Sequence, residues 1–246
     1  MVQQNISVGA VSYLNTKPMI TPSPIGTAQA FAEGLIINNP AAIAAMLINR
    51  EIQVGLVPVA ILPQLGTYYQ VSNYGIGCTG AVSSVCLYSN VPITEVTTLY
   101  LDTESRTSVQ LLQVLLREYW QLPNIILLPA YKGYESDITG TVAGLVIGDR
   151  AFIQKKINTY EYDLGEAWYK HTGLPFVFAL WVSTVVLNSE FKISFNNWLA
   201  SNHAHYMATI DVKELTTEQK NYLQHNIQYK LTALHYKGLQ LFLSKL

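Results

Sequence analysis

Three clusters of hydroxyl, amide and charged side chains stand where short apolar runs give way to helix-like patterns. The first is Ser12, Tyr13, Asn15, Thr16 and Lys17, directly after the apolar run at residues 6–11. In open α/β sheets ligands collect beyond the carboxyl ends of strands, so a polar turn here can orient an oxygen-rich molecule. Asn15 offers an amide that donates and accepts, Tyr13 a phenol, Ser12 and Thr16 hydroxyls. A plain turn in which Ser12 or Asn15 caps a helix is the competing reading. The second cluster, residues 102–108 (DTESRTS), sets Ser105, Arg106, Thr107 and Ser108 at the start of a helical pattern. Free backbone N–H groups and the positive end of the helix dipole suit a carboxylate or phosphate there, and Arg106 can add a bidentate contact. Simple capping by Ser105 is the alternative, but one cap needs one hydroxyl and this turn supplies several. The third, residues 75–84 (GIGCTGAVSS), matches neither a Walker loop nor a dinucleotide fingerprint. Its glycines let a backbone approach a small ligand closely, with Thr79 and Ser84 as donors, or they form a structural hinge.

Other chemistry is poorly supported. The five histidines fall in the last third of the chain without an HExxH pattern or a carboxylate cluster, so no metal is expected. No GxSxG elbow is present for a nucleophilic hydrolase. Cys78 and Cys86 match no zinc or redox spacing and read as reduced, buried thiols. Asp149 follows an apolar run at 142–147 and is placed either to cap the helix after it or to face a ligand.

The elements that must hold these clusters alternate between short β-rich runs and longer helical patterns, the signature of an α/β protein. Strands are expected at 6–11, 30–37, 53–57, 81–89, 98–101, 125–128, 142–147 and 176–187. Helices are expected at 39–49, with Pro40 at the first position, at 105–119, at 150–156 and from about 191 to the end. The long runs 81–89 and 176–187 read as crossings between two α/β units. That organisation puts 1–88 with 182–246 in one lobe and 89–181 in the other, with a substrate cleft between them. A single doubly wound domain is the alternative at 246 residues.

Composition narrows the function. The chain is 50% hydrophobic and 13% charged, ample for a packed core, and 15 Lys+Arg against 16 Asp+Glu leave no basic face for nucleic acid. The mean hydropathy of +0.20 raises the question of a membrane span, yet no apolar run reaches the roughly 18 residues required. The first residues lack the basic and apolar regions of a secretory signal, so a cytoplasmic address and no membrane partner are expected.

The strings VGAVSYLNTKP (8–18), VGLVPVA (54–60), GIGCTGAVSSV (75–85), LDTESRTS (101–108), LVIGDRA (145–151), DLGEAW (163–168), TGLPFVFALWV (172–182), YLQHNIQYKL (222–231) and KGLQLF (237–242) resemble, in order and spacing, the chorismate dehydratase family of the futalosine route to menaquinone. The resemblance covers nearly the whole chain. A sister family that forms a dihydroxynaphthoate opens with a different motif in place of SYLN. Membership implies a two-lobe, type II periplasmic-binding-protein-like fold with mixed sheets and two crossing hinge strands. It also implies a lyase that converts chorismate to 3-[(1-carboxyvinyl)oxy]benzoate and water without a cofactor. The family's functional asparagine carries over onto Asn15, with Tyr13, Thr79, Ser84, Ser105, Arg106, Thr107, Ser108 and Asp149 expected around the substrate. A non-catalytic small-carboxylate-binding protein of the same fold is the competing class. Two departures from the family pattern are Cys78, where a small residue such as serine is expected, and the Pro/Gly/Thr-rich segment 21–28.

Overall fold

The computed structural model describes residues 6–23, 31, 34–102 and 104–246. Two mixed sheets organise them. In the first, β1 (Val8–Val11) pairs in parallel with β2 (Leu35–Asn38) on one side and β3 (Val54–Pro58) on the other. Helix α1 (Lys17–Ile20) follows the turn after β1, and α2 (Pro40–Ile48) leads from β2 to β3. Asn39 caps α2 by accepting from the Ala42 N–H at 2.9 Å, and Pro40 opens it where no N–H is needed. Ile43 and Leu47, one turn apart, are fully buried.

The sheet continues through β10 (Phe176–Ser183) and β4 (Tyr69–Cys78), both antiparallel, to the short edge strand β11 (Gln228–Lys230). All eight residues of β10 are buried, as suits a central strand paired on both sides. Sequence patterning leaves β4 as an irregular stretch, because 69–78 mixes Gln, Ser, Asn and Gly with its apolar residues. Its glycines are required for sheet packing. A Cβ on Gly75 would lie 2.7 Å from the Ala179 carbonyl oxygen, and one on Gly77 would lie 3.0 Å from that of Phe176. The close approach they permit is therefore that of β10 and the tail, not of a ligand.

The second sheet has the order β7-β6-β8-β5-β9, formed by Ile126–Pro129, Thr98–Leu101, Val142–Ile147, Val85–Ser89 and Tyr160–Asp163. Helices α3 (Arg106–Glu118), α4 (Asp149–Gln154) and α5 (Leu164–Thr172) accompany it. The tail carries α6 (Ser189–Ala208), α7 (Thr217–Asn221), a π turn at Tyr222–Asn226, and α8 (Ala233–Leu243) after β11.

The chain passes between sheets at 79–84 and 173–175, and the strands expected at 81–89 and 176–187 are observed at Val85–Ser89 and Phe176–Ser183. Residues 81–84 are not strand, because the Val82 and Ser83 N–H groups donate to the Asp163 carboxylate at 3.0 and 2.6 Å instead of to a neighbouring strand. Ser83 holds a φ of 63°, which also breaks extended geometry. At the other end, β10 stops at Ser183, whose hydroxyl donates to the Val185 carbonyl and accepts from its N–H. The boundaries expected at 88/89 and 181/182 fall inside β5 and β10, whereas pairing sets β5 wholly in the second sheet and β10 wholly in the first. The strand expected at 30–37 begins at Leu35; residues 30, 32 and 33, like the departing segment at 24–28, lie outside the described residues.

Candidate active site

A cleft of about 310 Å³ opens where the carboxyl end of β1, the 79–84 crossing, the start of α3, the start of α4 and the tail meet. Its floor is a three-residue hydrogen-bond junction. Asn15 Nδ2 and Ser84 Oγ both donate to the phenol oxygen of Tyr222, each at 2.9 Å. Ser84 and Tyr222 are buried, while Asn15 is half-buried. Burial holds the Tyr222 phenol well above its ordinary pKa, so it is an un-ionised group that accepts from both neighbours. Ser12, Tyr13, Ser105 and Ser108 add hydroxyls to the wall, and Val11, Ile76, Val82, Val85, Ile147 and Phe178 give it an apolar side. Such a mixture suits a small ring bearing oxygen substituents.

The charged groups are arranged unequally. Arg150 pairs with Asp102 at 2.5 Å, Glu135 at 2.9 Å and Glu104 at 3.3 Å. Asp102 is buried, and desolvation raises its pKa even though Arg150 opposes the shift. Burial, followed by the negative charges of Glu104 and Asp102, pushes the Tyr13 phenol up to about 12, which keeps it a neutral donor. Asp149 also lines the cleft. It is the first residue of α4 and not its cap, which corrects the capping expectation. Gly148 occupies the cap position with φ 64° and ψ −147°, a conformation essentially confined to glycine.

The structure thus brings together Tyr13, Asn15, Ser84, Ser105, Ser108 and Asp149 from four separate segments. It directs the other three expected residues elsewhere. Thr107 is buried, where its hydroxyl accepts from Ala60 N–H at 3.2 Å and donates to the Phe178 carbonyl at 3.3 Å. Thr79 donates to Gln228 Oε1 at 2.7 Å. Arg106 reaches Gln64 at 3.4 Å and lines an adjoining cavity of about 380 Å³ that shares Ser12, Tyr13 and Glu104 with the cleft. The redundant hydroxyls at 105–108 accordingly divide their work. Ser105 caps α3 by accepting from the Ser108 N–H at 3.2 Å, Thr107 joins the two sheets, and Ser108 faces the cleft while bonded to Ser105. Thr103 of this turn lies outside the described residues.

Tyr222, Gly148 and Arg150 also line the walls without having been singled out as site residues from sequence. Tyr222 opens the tail string YLQHNIQYKL, and Gly148 and Arg150 sit in LVIGDRA, so the signals were present without an indication of their position. Cys78 and Cys86 are free and buried, as expected. Among the described residues, no group of three or more His, Cys, Asp or Glu side chains is placed to hold a metal ion, and no helix is long and apolar enough to cross a membrane.

Comparison with known proteins agrees with this architecture. The chain is 29% identical over 167 residues to a chorismate dehydratase from Thermus thermophilus, a match that spans 58% of each protein. It thus covers under two thirds of that relative's length. Among solved structures, protein AF1704 from Archaeoglobus fulgidus superposes with a TM-score of 0.73 at 13% identity, over 99% of this chain and 97% of that one. The periplasmic aliphatic sulphonate binding protein SsuA from Escherichia coli gives 0.63 at 13% identity, over 97% and 86%. At these identities the likeness concerns fold alone, that of periplasmic binding proteins. Since the family described as menaquinone biosynthesis matches residues 6–246, the chain belongs to that family.

Proposed function

We propose that the protein is a chorismate dehydratase, a lyase acting in menaquinone biosynthesis that forms 3-[(1-carboxyvinyl)oxy]benzoate and water without a cofactor. The observation that carries the proposal is the convergence of Asn15 and Ser84 on the Tyr222 phenol, inside a cleft with hydroxyl donors on one side and apolar residues on the other. In this reading two lobes, one built on each sheet, enclose the substrate, and the reaction takes place in the cytoplasm.

The reaction breaks one ring C–H bond, at the carbon that bears the enolpyruvyl ether, and the C–O bond of the neighbouring hydroxyl. The C–H electron pair becomes part of the aromatic ring, and the proton and hydroxide depart as water. Because aromatisation drives the elimination, the protein's task is to bind and orient. Ser12, Tyr13 and the free hydroxyl of the bonded Ser105–Ser108 pair serve as neutral donors to the two substrate carboxylates, and the apolar wall receives the ring. An amide is a poor base, so Asn15 orients and stabilises the reacting face while the substrate's enolpyruvyl carboxylate accepts the proton. Asp149, which lines the same cleft, is the alternative acceptor.

The test is purified protein mixed with chorismate, with no added metal or nucleotide. A product lighter by one water and a growing benzoate absorbance are expected. A thermal shift with chorismate but no turnover would replace the proposal with a carboxylate-binding protein of the same fold.

A further inference from the structure

The phenol of Tyr222 touches both Asn15 and Ser84 on the cleft floor. It lies 207 positions from Asn15 and 138 from Ser84, so the contact exists only because the tail returns to the first sheet. The π turn Tyr222–Asn226 delivers it. One extra residue in a helical turn redirects a side chain, and such turns concentrate at functional sites. The turn is tied down independently, since Asn226 Nδ2 donates to the Ala81 carbonyl of the crossing at 3.1 Å. The Tyr222 ring also rests edge-on against Phe152 of α4, with centroids 5.5 Å apart. Its backbone and ring are therefore held by contacts that do not involve the hydroxyl.

We infer that Tyr222 is a positioning residue for the elimination, acting through Asn15 and Ser84, an assignment that rests on the dehydratase reading above. The phenol oxygen anchors one N–H of the Asn15 amide. The amide plane is then fixed, with its carbonyl oxygen and second N–H free for substrate. The same oxygen fixes the Ser84 hydroxyl rotor. Without it, each side chain regains rotational freedom, and misplacement of a reacting contact by about 1 Å costs on the order of 10²-fold in rate. A role confined to packing would instead be carried by the ring, which phenylalanine retains.

The test compares wild-type protein with Tyr222→Phe, Asn15→Ala and the double variant, measuring kcat and KM for chorismate and the midpoint of thermal unfolding. Expected for Tyr222→Phe is a kcat about 10²-fold lower with KM changed by less than about threefold, the pattern of a lost transition-state contact. In the Asn15→Ala background the tyrosine substitution should cost less than in the wild type, since the part of its effect that runs through Asn15 is already lost. Wild-type kcat in Tyr222→Phe, or full additivity with Asn15→Ala, would overturn the inference and leave the dehydratase reading intact. Absence of turnover by the wild type would sink both. Should Tyr222→Phe fold poorly, hydrogen exchange of the Asn15 side-chain amide in the wild type supplies the answer: one protected proton of the pair supports the anchor, and two fast protons refute it.

Discussion

Thr107, at the start of α3 beside the second sheet, donates its hydroxyl to the backbone carbonyl of Phe178, 3.3 Å away in a central strand of the first. The same oxygen accepts the Ala60 N–H at 3.2 Å, so one buried hydroxyl joins the helix to two segments associated with the other sheet. This bond fixes where Ser105 and Ser108, its neighbours on α3, stand in the cleft.

Thr107→Val keeps the shape but leaves a buried N–H and a buried carbonyl without their partner. A loss of about 1–3 kcal/mol is expected. At roughly 2–4 °C per kcal/mol for a chain of this size, calorimetry will resolve it. Thr107→Ser should recover most of the loss, and an unchanged melting temperature in the valine variant would show that the bond contributes nothing.

Under the proposed function, Asn15→Ala removes the amide that orients the reacting face while sparing the buried apolar wall. Turnover should fall about 10²–10³-fold, the usual cost of deleting one positioned donor. Chorismate affinity, measured by calorimetry, should change far less, because the proposed reading assigns the carboxylates to Ser12, Tyr13, Ser105 and Ser108. Full activity in this variant would exclude Asn15 from the chemistry.

Gly148→Ala places a methyl group on a residue at φ 64° and ψ −147°. There is space for the added carbon, so the cost is conformational, about 1–3 kcal/mol. Relief of that strain by rotation would move Ile147 and Asp149 along the cleft wall, so a higher KM should accompany the lower melting temperature. An alanine variant as stable as the wild type would refute the argument.

His235 is buried with both ring nitrogens committed. Nδ1 accepts from the Thr232 N–H at 3.2 Å and its hydroxyl at 3.0 Å, while Nε2 donates to Gln228 Oε1 at 2.7 Å. Burial lowers its pKa, so the folded state binds the proton more weakly than the unfolded chain. Stability is then complete above the unfolded value of about 6.5 and declines as pH falls through it toward the folded pKa. His203 is depressed by burial in the same direction. His235→Gln should therefore flatten the fall in melting temperature between about pH 6.5 and pH 5 without abolishing it. Identical slopes in variant and wild type would remove His235 from the account.

Strands with uninterrupted apolar runs were legible from sequence: 142–147 and 98–101 fall where patterning sets them, and Pro40 and Ser105 mark helix starts correctly to within a residue. Strand β4 was not legible, because its glycines and polar residues carry little local preference for extension. Pairing with β10 and β11 supplies what the local sequence lacks. For the site, Asn15, Ser84 and the 105–108 turn could be identified by residue type and position after a strand or at a helix start. Which hydroxyl would face the cleft could not, because Thr107 and Ser108 differ in direction by helical rotation alone, and that becomes meaningful only once the first sheet lies against α3.

By itself, then, the sequence determined the α/β alternation, the polar turns available for binding and the near-neutral charge that disfavours nucleic acid. Tertiary structure alone decided that Tyr222 would meet Asn15 and Ser84, that Thr107 would be spent between α3 and the first sheet, and that Gly148 rather than Asp149 would cap α4. The reason is physical: residue type fixes what a side chain can donate or accept, whereas the identity of its partner depends on chain segments brought together from 47 to 207 positions away.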